Sequence, residues 1–258
     1  MTYLGLDAGT TATKWALVDH DGGLLDTGIL TEDILPLCQR LHPTAVGITG
    51  VGASKLPPLP CPTTMVCEFD AVGKGALALS DKSEAVVVSL GTGTAFLHAK
   101  ADGTIAHICG TGIGGGTIAG LCQVMAGTTG HQDVAKRAID GTFTHVDLTM
   151  AEVTDQLPEG LLPDMTAANF ARIRPDATPA DYVSGGINLV LHAVGTMALM
   201  GCKITGCNQV IFVGASTQLP PVQAVLDLFT LCYGIPYETV DNAAYATAFG
   251  AGLMVKGA

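Results

Sequence analysis

One supersecondary unit occurs twice in this chain. Residues 3–6 form a short apolar run ending in Asp7-Ala-Gly-Thr-Thr, a second strand follows at Thr13-Lys-Trp-Ala-Leu-Val, and the turn His20-Asp-Gly-Gly leads into a third at 24–29. Roughly 80 residues later the order returns: the buried run Ala85-Val-Val-Val-Ser-Leu, the turn Gly91-Thr-Gly-Thr, a strand at 95–99, the turn Ala101-Asp-Gly-Thr and a strand at 105–109. A repeat of this size predicts two similar lobes, each with its own sheet. Helical spacing follows each meander, at 32–41 and then at 115–125, 180–200, 220–233 and 243–254. Further strands are expected at 45–49 and 209–213, the latter running into Gly214-Ala-Ser. Strands interleaved with helices in this way predict an α/β fold. The expected division is a first lobe over 1–83, completed by the C-terminal helix 242–258, and a second over 84–241, with a polar insertion at about 149–181. Two such lobes leave a cleft between them, where ligands bind.

The formal net charge of -11 leaves no basic stripe for nucleic acid and disfavours an anionic membrane surface. The eight cysteines form no CxxC pair and most sit in apolar runs, so they read as free thiols of a cytoplasmic protein. No basic segment followed by an apolar run opens the chain. The apolar stretch 187–200 is short and includes Asn188, His192 and Thr196, which predicts no membrane span. None of the seven histidines has metal-ligand spacing to another histidine or a cysteine.

The Gly/Thr turns carry the first chemical signal. Glycine between two strands lets backbone N–H groups face a phosphate, and Thr10 and Thr11 add hydroxyls. Asp7 at the strand end could hold hydrated magnesium, and Lys14 on the return strand could touch phosphate. An ordinary hairpin with a turn-forming aspartate fits the first turn equally well. The second, Gly91-Thr92-Gly93-Thr94, favours the ligand reading, because two facing turns can grip a polyphosphate from both sides. Gly110-Thr-Gly-Ile-Gly-Gly-Gly116 opens a helix and would bring backbone close to a nucleotide. It does not follow the first strand of a βαβ unit, which argues against a Rossmann site, and no GxxxxGK[ST] is present. Glu68 and Asp70 sit two residues apart; one could take a proton from a substrate hydroxyl, or both could simply favour a helix N-terminus.

Together these motifs resemble the type II pantothenate kinases of the actin-like ATPase superfamily, over nearly the whole chain. The resemblance rests on Gly5-Leu-Asp-Ala-Gly-Thr-Thr-Ala-Thr-Lys14, Glu68-Phe-Asp-Ala71, Gly91-Thr-Gly-Thr94 and Gly110 to Gly116. It continues through Met165-Thr-Ala-Ala-Asn-Phe170, Gly214-Ala-Ser216 and Asp241-Asn-Ala-Ala-Tyr245. It implies two ribonuclease-H-like lobes around a nucleotide cleft, ATP and magnesium as cofactors, pantothenate as substrate and a homodimer, with the 180–200 helix as an interface. Glu68 would be the catalytic base and Asp7 would orient magnesium. Gly9, Thr10, Thr11, Lys14, Gly91, Thr92, Gly93 and Thr94 would hold phosphates. Gly112, Gly114, Gly115, Gly116, Gly214 and Ser216 would lie along the nucleotide. Thr166, Asn169 and Arg172 would stand near the substrate. The family has an arginine on the strand entering the glycine loop, and here that position is His107. A kinase for another small hydroxylated acid or amide, and a nucleotide-binding regulatory protein of the same superfamily, are the alternative readings.

Overall fold

Both halves of the repeat build the same five-stranded mixed sheet. The computed structural model describes residues 1–31, 33–128, 130–157 and 160–256. In the first half, β1 (Thr2–Ala8), β2 (Thr13–Asp19) and β3 (Leu24–Ile29) form an antiparallel meander. Helix α1 (Ile34–Leu41) leads to β4 (Ala45–Thr49), which pairs parallel with β1, and β5 (Thr63–Met65) extends the edge. The strand order is β3-β2-β1-β4-β5. Asp33 caps α1 through the Leu35 N–H, while Glu32, where the sequence pattern starts that helix, lies outside the described residues.

Helix α2 (Glu68–Ser80) then leads to β6 (Glu84–Leu90), β7 (Thr94–Lys100) and β8 (Ile105–Thr111). The helices α3 (Gly115–Ala126) and α4 (His131–Asp140) follow. The polar insertion contains a two-stranded ribbon, β9 (Leu148–Thr149) with β10 (Thr166–Ala168), and the short α5 (Met150–Val153); residues 158 and 159 lie outside the described set. Helix α6 (Pro179–Thr205) leads to β11 (Val210–Val213), α7 (Pro221–Tyr233), β12 (Tyr237–Thr239) and α8 (Ala246–Met254). The second sheet has the order β12-β11-β6-β7-β8, with β11 and β12 parallel to β6. Relabelled by position, this is the order of the first sheet, so the repeat in the sequence is a repeat in topology. Ala85, Val86, Val87, Val88 and the four residues of β11 are at most 1% exposed, as central parallel strands covered on both faces require.

Helix α6 is longer than its sequence pattern suggests. Thr178 and Asp181 form a capping box with Pro179 in the first turn, and Gly206 closes the other end in the left-handed conformation. At 27 residues it is long and apolar enough to cross a membrane, contrary to the expectation from 187–200, yet 56% of its most apolar window is buried within the fold. Its apolar girth serves the core of the second lobe, where Val183, Ile187, Val190, Leu191 and Val194 meet the sheet and α7. From residue 180 to Met200 only Thr196 and Met200 are exposed, which leaves a narrow strip for any partner.

The two sheets are joined by helices that each serve the other half. Helix α2, from the first part of the chain, packs Val72, Ala76 and Leu77 against Ala85, Val87, Leu97 and Ala99 of the second sheet. Helix α8, from the end of the chain, packs Ala248 and Phe249 against Tyr3, Ala16 and Val18 of the first. Residues 257 and 258 of the expected C-terminal segment lie outside the described set. The two helices cross with their backbones in contact. A Cβ on Gly75 would lie 1.9 Å from the Ala246 carbonyl oxygen, and one on Gly250 would lie 1.8 Å from that of Ala71. Glycine inside a helix costs about 0.5–1 kcal/mol relative to alanine, and here that cost is offset by the approach it permits. Gly250→Ala should therefore lower stability by ~3 kcal/mol, or about 6–12 °C in Tm. Gly120→Ala in α3, where a Cβ meets nothing within 4 Å, should leave Tm unchanged or slightly raised; thermal melts of both variants check the pair.

Candidate active site

The first hairpin places a carboxylate opposite an ammonium. Asp7 and Lys14 are direct cross-strand partners on β1 and β2, just below the turn 9–12. Burial pushes the Asp7 carboxyl up to about 6, Lys14 opposing the shift and the Glu68 carboxylate adding to it. That cause brings Glu68, the first residue of α2, into electrostatic reach of Asp7 although 61 positions separate them in sequence. Among the described residues, the N–H groups of Thr10, Thr11 and Ala12 have no intramolecular acceptor. Thr10 and Thr11 are exposed, so these donors face outward.

The second hairpin is built differently. The Gly91 and Thr92 carbonyls accept hydrogen bonds from the Gly115 and Gly116 N–H groups, at 2.8 and 2.9 Å. The first two amides of α3 are thus occupied by the hairpin and are not free to meet a phosphate, as the glycine run suggested they would be. These glycines instead allow three loops to meet. A Cβ on Gly114 would lie 2.7 Å from the Gly93 carbonyl carbon, and one on Gly115 would lie 2.3 Å from Ser216 Oγ. Gly214, at φ +107, meets the Leu90 carbonyl in the same way. So Gly91–Gly93, Gly112–Gly116 and Gly214–Ser216 converge at the ends of β6, β8 and β11. Thr94 is buried and its hydroxyl donates to the Ile113 carbonyl at 2.7 Å, so it holds the loop. Thr92 remains exposed at the tip.

At the N-terminus of α2 the two acidic residues part company. Glu68 is exposed and acts on Asp7. Asp70 lines an open hollow of about 730 Å³ with Lys74, Asp81, Lys100 and Asp102, along a flank of α2 that includes neither Asp7 nor Glu68. His107 on β8 stacks flat on Phe69, the second residue of α2, with ring centroids 4.6 Å apart and planes 3° from parallel. Nothing in the sequence pattern singled out Phe69; only the pairing of β8 with α2 reveals it.

Thr166, Asn169 and Arg172 do not join this group through their side chains. The Thr166 hydroxyl and the Asn169 amide both donate to the Asp147 carboxylate at 3.0 Å, and the Phe170 N–H and Asn188 amide add two more bonds at 2.8 Å. Asp147 is fully buried, and these four donors satisfy it. Arg172 pairs with Glu152 at 3.0 Å. These residues fold the insertion back onto α6. Asp147 and Asn188 had no sequence signal, because their roles exist only once the ribbon closes.

The family profile described as Fumble matches residues 80–224. The chain is 25% identical over 261 residues to a type II pantothenate kinase of Staphylococcus haemolyticus, covering 96% of this chain and 98% of that one. It is 27% identical over 267 residues to one of Staphylococcus epidermidis, with 96% and 98% covered. Among solved structures, the activator of the 2-hydroxyisocaproyl-CoA dehydratase from Clostridium difficile with bound ADPNP superposes with a TM-score of 0.65 at 15% identity, over 99% of this chain and 94% of that one. A ROK family glucokinase from Streptomyces griseus in complex with glucose and AMPPNP gives 0.60 at 14%, over 98% and 99%. At such identities these two establish the fold alone: two lobes of the actin-like ATPase type.

The raised Asp7 pKa has a stability consequence. The folded state holds this proton more tightly than the unfolded chain, whose carboxyl titrates near 3.8. The group therefore favours folding below about pH 4, loses that contribution as pH rises toward 6, and contributes none above. Asp7→Asn should melt several degrees higher than the parent at pH 8, for a gain of about 3 kcal/mol, and at the same temperature near pH 3.5. Thermal melts across that range measure the difference.

Proposed function

This chain belongs to the Fumble family, that of the type II pantothenate kinases, and from that premise we propose that it transfers the γ-phosphoryl group of ATP to the terminal hydroxyl of pantothenate. The observation that carries the reading is the convergence of Asp7, Lys14 and Glu68 beside an open Gly/Thr turn. Phosphoryl transfer asks little covalent chemistry of a protein; it needs positioning, charge neutralisation and a proton acceptor. The unengaged amides of Thr10, Thr11 and Ala12 suit phosphate oxygens, and Thr92 offers a hydroxyl from the other lobe. Lys14 supplies a positive charge beside them. The site fits a magnesium ion by its donor set: a carboxylate held in a desolvated place, with a second one near it and only one ammonium to balance both. Magnesium, when bound through Asp7, would neutralise phosphate charge. Glu68 takes the acceptor's hydroxyl proton as the new O–P bond forms and the bond to the departing ADP oxygen breaks. Its exposure leaves room for a substrate, and its effect on Asp7 keeps it within electrostatic reach of the phosphate turn.

The second reading, a kinase for another small hydroxylated acid or amide, draws support from His107. An arginine there would clamp a carboxylate or the transferring phosphate with a fixed fork. Histidine stacked on Phe69 presents a flat aromatic face and at most two donors. Arg172 pairs with Glu152 on the insertion, so to stand in for the arginine it would first have to give up that contact.

Glu68→Gln keeps the shape of the side chain and removes its basicity. Turnover measured as ADP release should fall about 10²–10⁴-fold while ATP affinity, read by calorimetry, stays within twofold. A variant that keeps turnover would move the base elsewhere. The acceptor is tested by incubating the protein with ATP and a panel of hydroxylated acids and amides. His107→Arg should raise kcat/KM for pantothenate, tenfold for each ~1.4 kcal/mol of transition-state contact regained. Activity on another acceptor, with none on pantothenate in either protein, would establish the second reading.

A further inference from the structure

The spacing of histidines and cysteines along the chain offers no metal site, but among the described residues the fold assembles one set of ligands. Glu84 opens β6, and His98 lies on β7 one register step away, since Glu84 pairs with Lys100 and Val86 with His98. Both point to the face of the second sheet that α6 covers, the face of Val86 and Val88. Cys207 arrives there directly after Gly206, the left-handed cap of α6. The ligand atoms of Glu84, His98 and Cys207 all lie within 4.8 Å of one another.

We propose that Glu84, His98 and Cys207 form a binding site for a zinc-class divalent cation. Tetrahedral coordination with bonds of 2.0–2.3 Å needs donor atoms about 3.3–3.7 Å apart, which is a small contraction or expansion of the spacing present. Thiolate with imidazole selects zinc, cobalt or copper over magnesium and calcium, whose ligands are oxygens. Two anionic ligands balance the charge of a divalent ion. Without metal, His98 Nε2 and Glu84 Oε1 are hydrogen-bonded at 2.6 Å, and the Cys207 thiol makes a weak contact to the Gln209 carbonyl at 3.6 Å. On binding, the thiol proton is released to solvent, Nε2 gives its lone pair to the ion, and the ring proton resides on Nδ1. Lys100 also touches Glu84, at 3.4 Å, but both side chains are about two-fifths exposed. Such a surface pair is worth ~1 kcal/mol or less, and the ammonium can keep the carboxylate's second oxygen. Cys202, near Cys207 in the chain, is buried and does not join the three ligand atoms that lie within 4.8 Å of one another. Glu84 provides the solvent-side entrance, and a water completes the fourth position. Glu84 stands at the opposite end of β6 from Gly91, about 20 Å away at strand rise. The ion therefore clamps the end of α6 to β6 and β7 and takes no part in phosphoryl transfer.

The test uses cobalt(II) as an optical probe on the metal-stripped full chain, with excess magnesium present. One equivalent should produce a near-ultraviolet thiolate-to-cobalt band that equimolar zinc removes, and zinc should raise Tm by mass action. Cys207→Ser should abolish the band. Because Cys207 is buried, His98→Gln and Glu84→Gln on the accessible side give a second measure: each should weaken cobalt affinity at least tenfold while circular dichroism shows an intact fold. Cys67→Ser, at an exposed thiol far along the chain, should change nothing. Absence of a band in the parent protein, persistence of the band in Cys207→Ser, or its loss in Cys67→Ser would overturn the proposal.

Discussion

The backbone crossing of α2 and α8 is the constraint on which the rest depends. Each helix packs on the sheet of the opposite half, so neither lobe has a complete core of its own. The contact is possible because Gly75 and Gly250 carry no side chain where each faces the other helix's carbonyl. Gly5 and Gly47 do the same where α8 meets β1 and β4. Close backbone contact of this kind tolerates little sliding, since interiors are close-packed and a displaced carbonyl has nowhere to go. The site inherits that rigidity, because Glu68 is the first residue of α2 while Asp7 belongs to the sheet that α8 covers. The relative position of the two carboxylates is thus fixed by a crossing about two helical turns away.

Most of the architecture was legible because its signals were local. Buried strands such as Ala85–Leu90, Asp-Gly turns and a capped amphipathic helix need only near neighbours to be recognised. The repeat also identified two lobes before any strand order was known. The missed elements have physical reasons. β5 and β12 are three residues each, too short to show a period. Helix α2 carries Gly73 and Gly75 and has acidic residues without an apolar stripe of clear phase, since it is covered by β8 on one side and α8 on another. Spacing alone left Glu68 and Asp70 equivalent and the family resemblance chose Glu68; the structure sets them apart, with Glu68 acting on Asp7 and Asp70 lining the hollow beside Lys74.

The glycine run before α3 shows where reading local chemistry misleads. Helix N-termini attract anions through free N–H groups, and Gly112 to Gly116 has the composition for it. Whether those groups are free is decided by a hairpin 24 residues upstream, whose carbonyls reach Gly115 and Gly116. Packing against Gly93, Ser216 and Thr92 is enough to require glycine at 114, 115 and 116, whereas a Cβ at Gly112 would meet nothing within 4 Å. Thr166 and Asn169 follow the same logic: polar residues in a motif, whose side chains satisfy a buried Asp147.

The repeat is symmetric in topology and asymmetric in charge, and that asymmetry assigns the chemistry. Aligning Gly9 with Gly91 sets Asp7 against Ser89, and the cross-strand pair Asp7–Lys14 against Ser89–Ala95. The first lobe therefore brings a carboxylate and an ammonium to its turn, while the second brings only backbone, threonine hydroxyls and tight loop packing. A second aspartate at position 89 would have placed another negative charge where phosphates must collect, in a chain already at -11. One hairpin is charged and one neutral, and the helix that crosses between the halves brings Glu68 to the charged one, so the two carboxylates stand together and the second turn stays free of them. Under the proposed kinase reading that asymmetry is what a polyanion requires: a neutral turn of backbone and hydroxyls on one side, and charge that an ammonium and a cation can balance on the other.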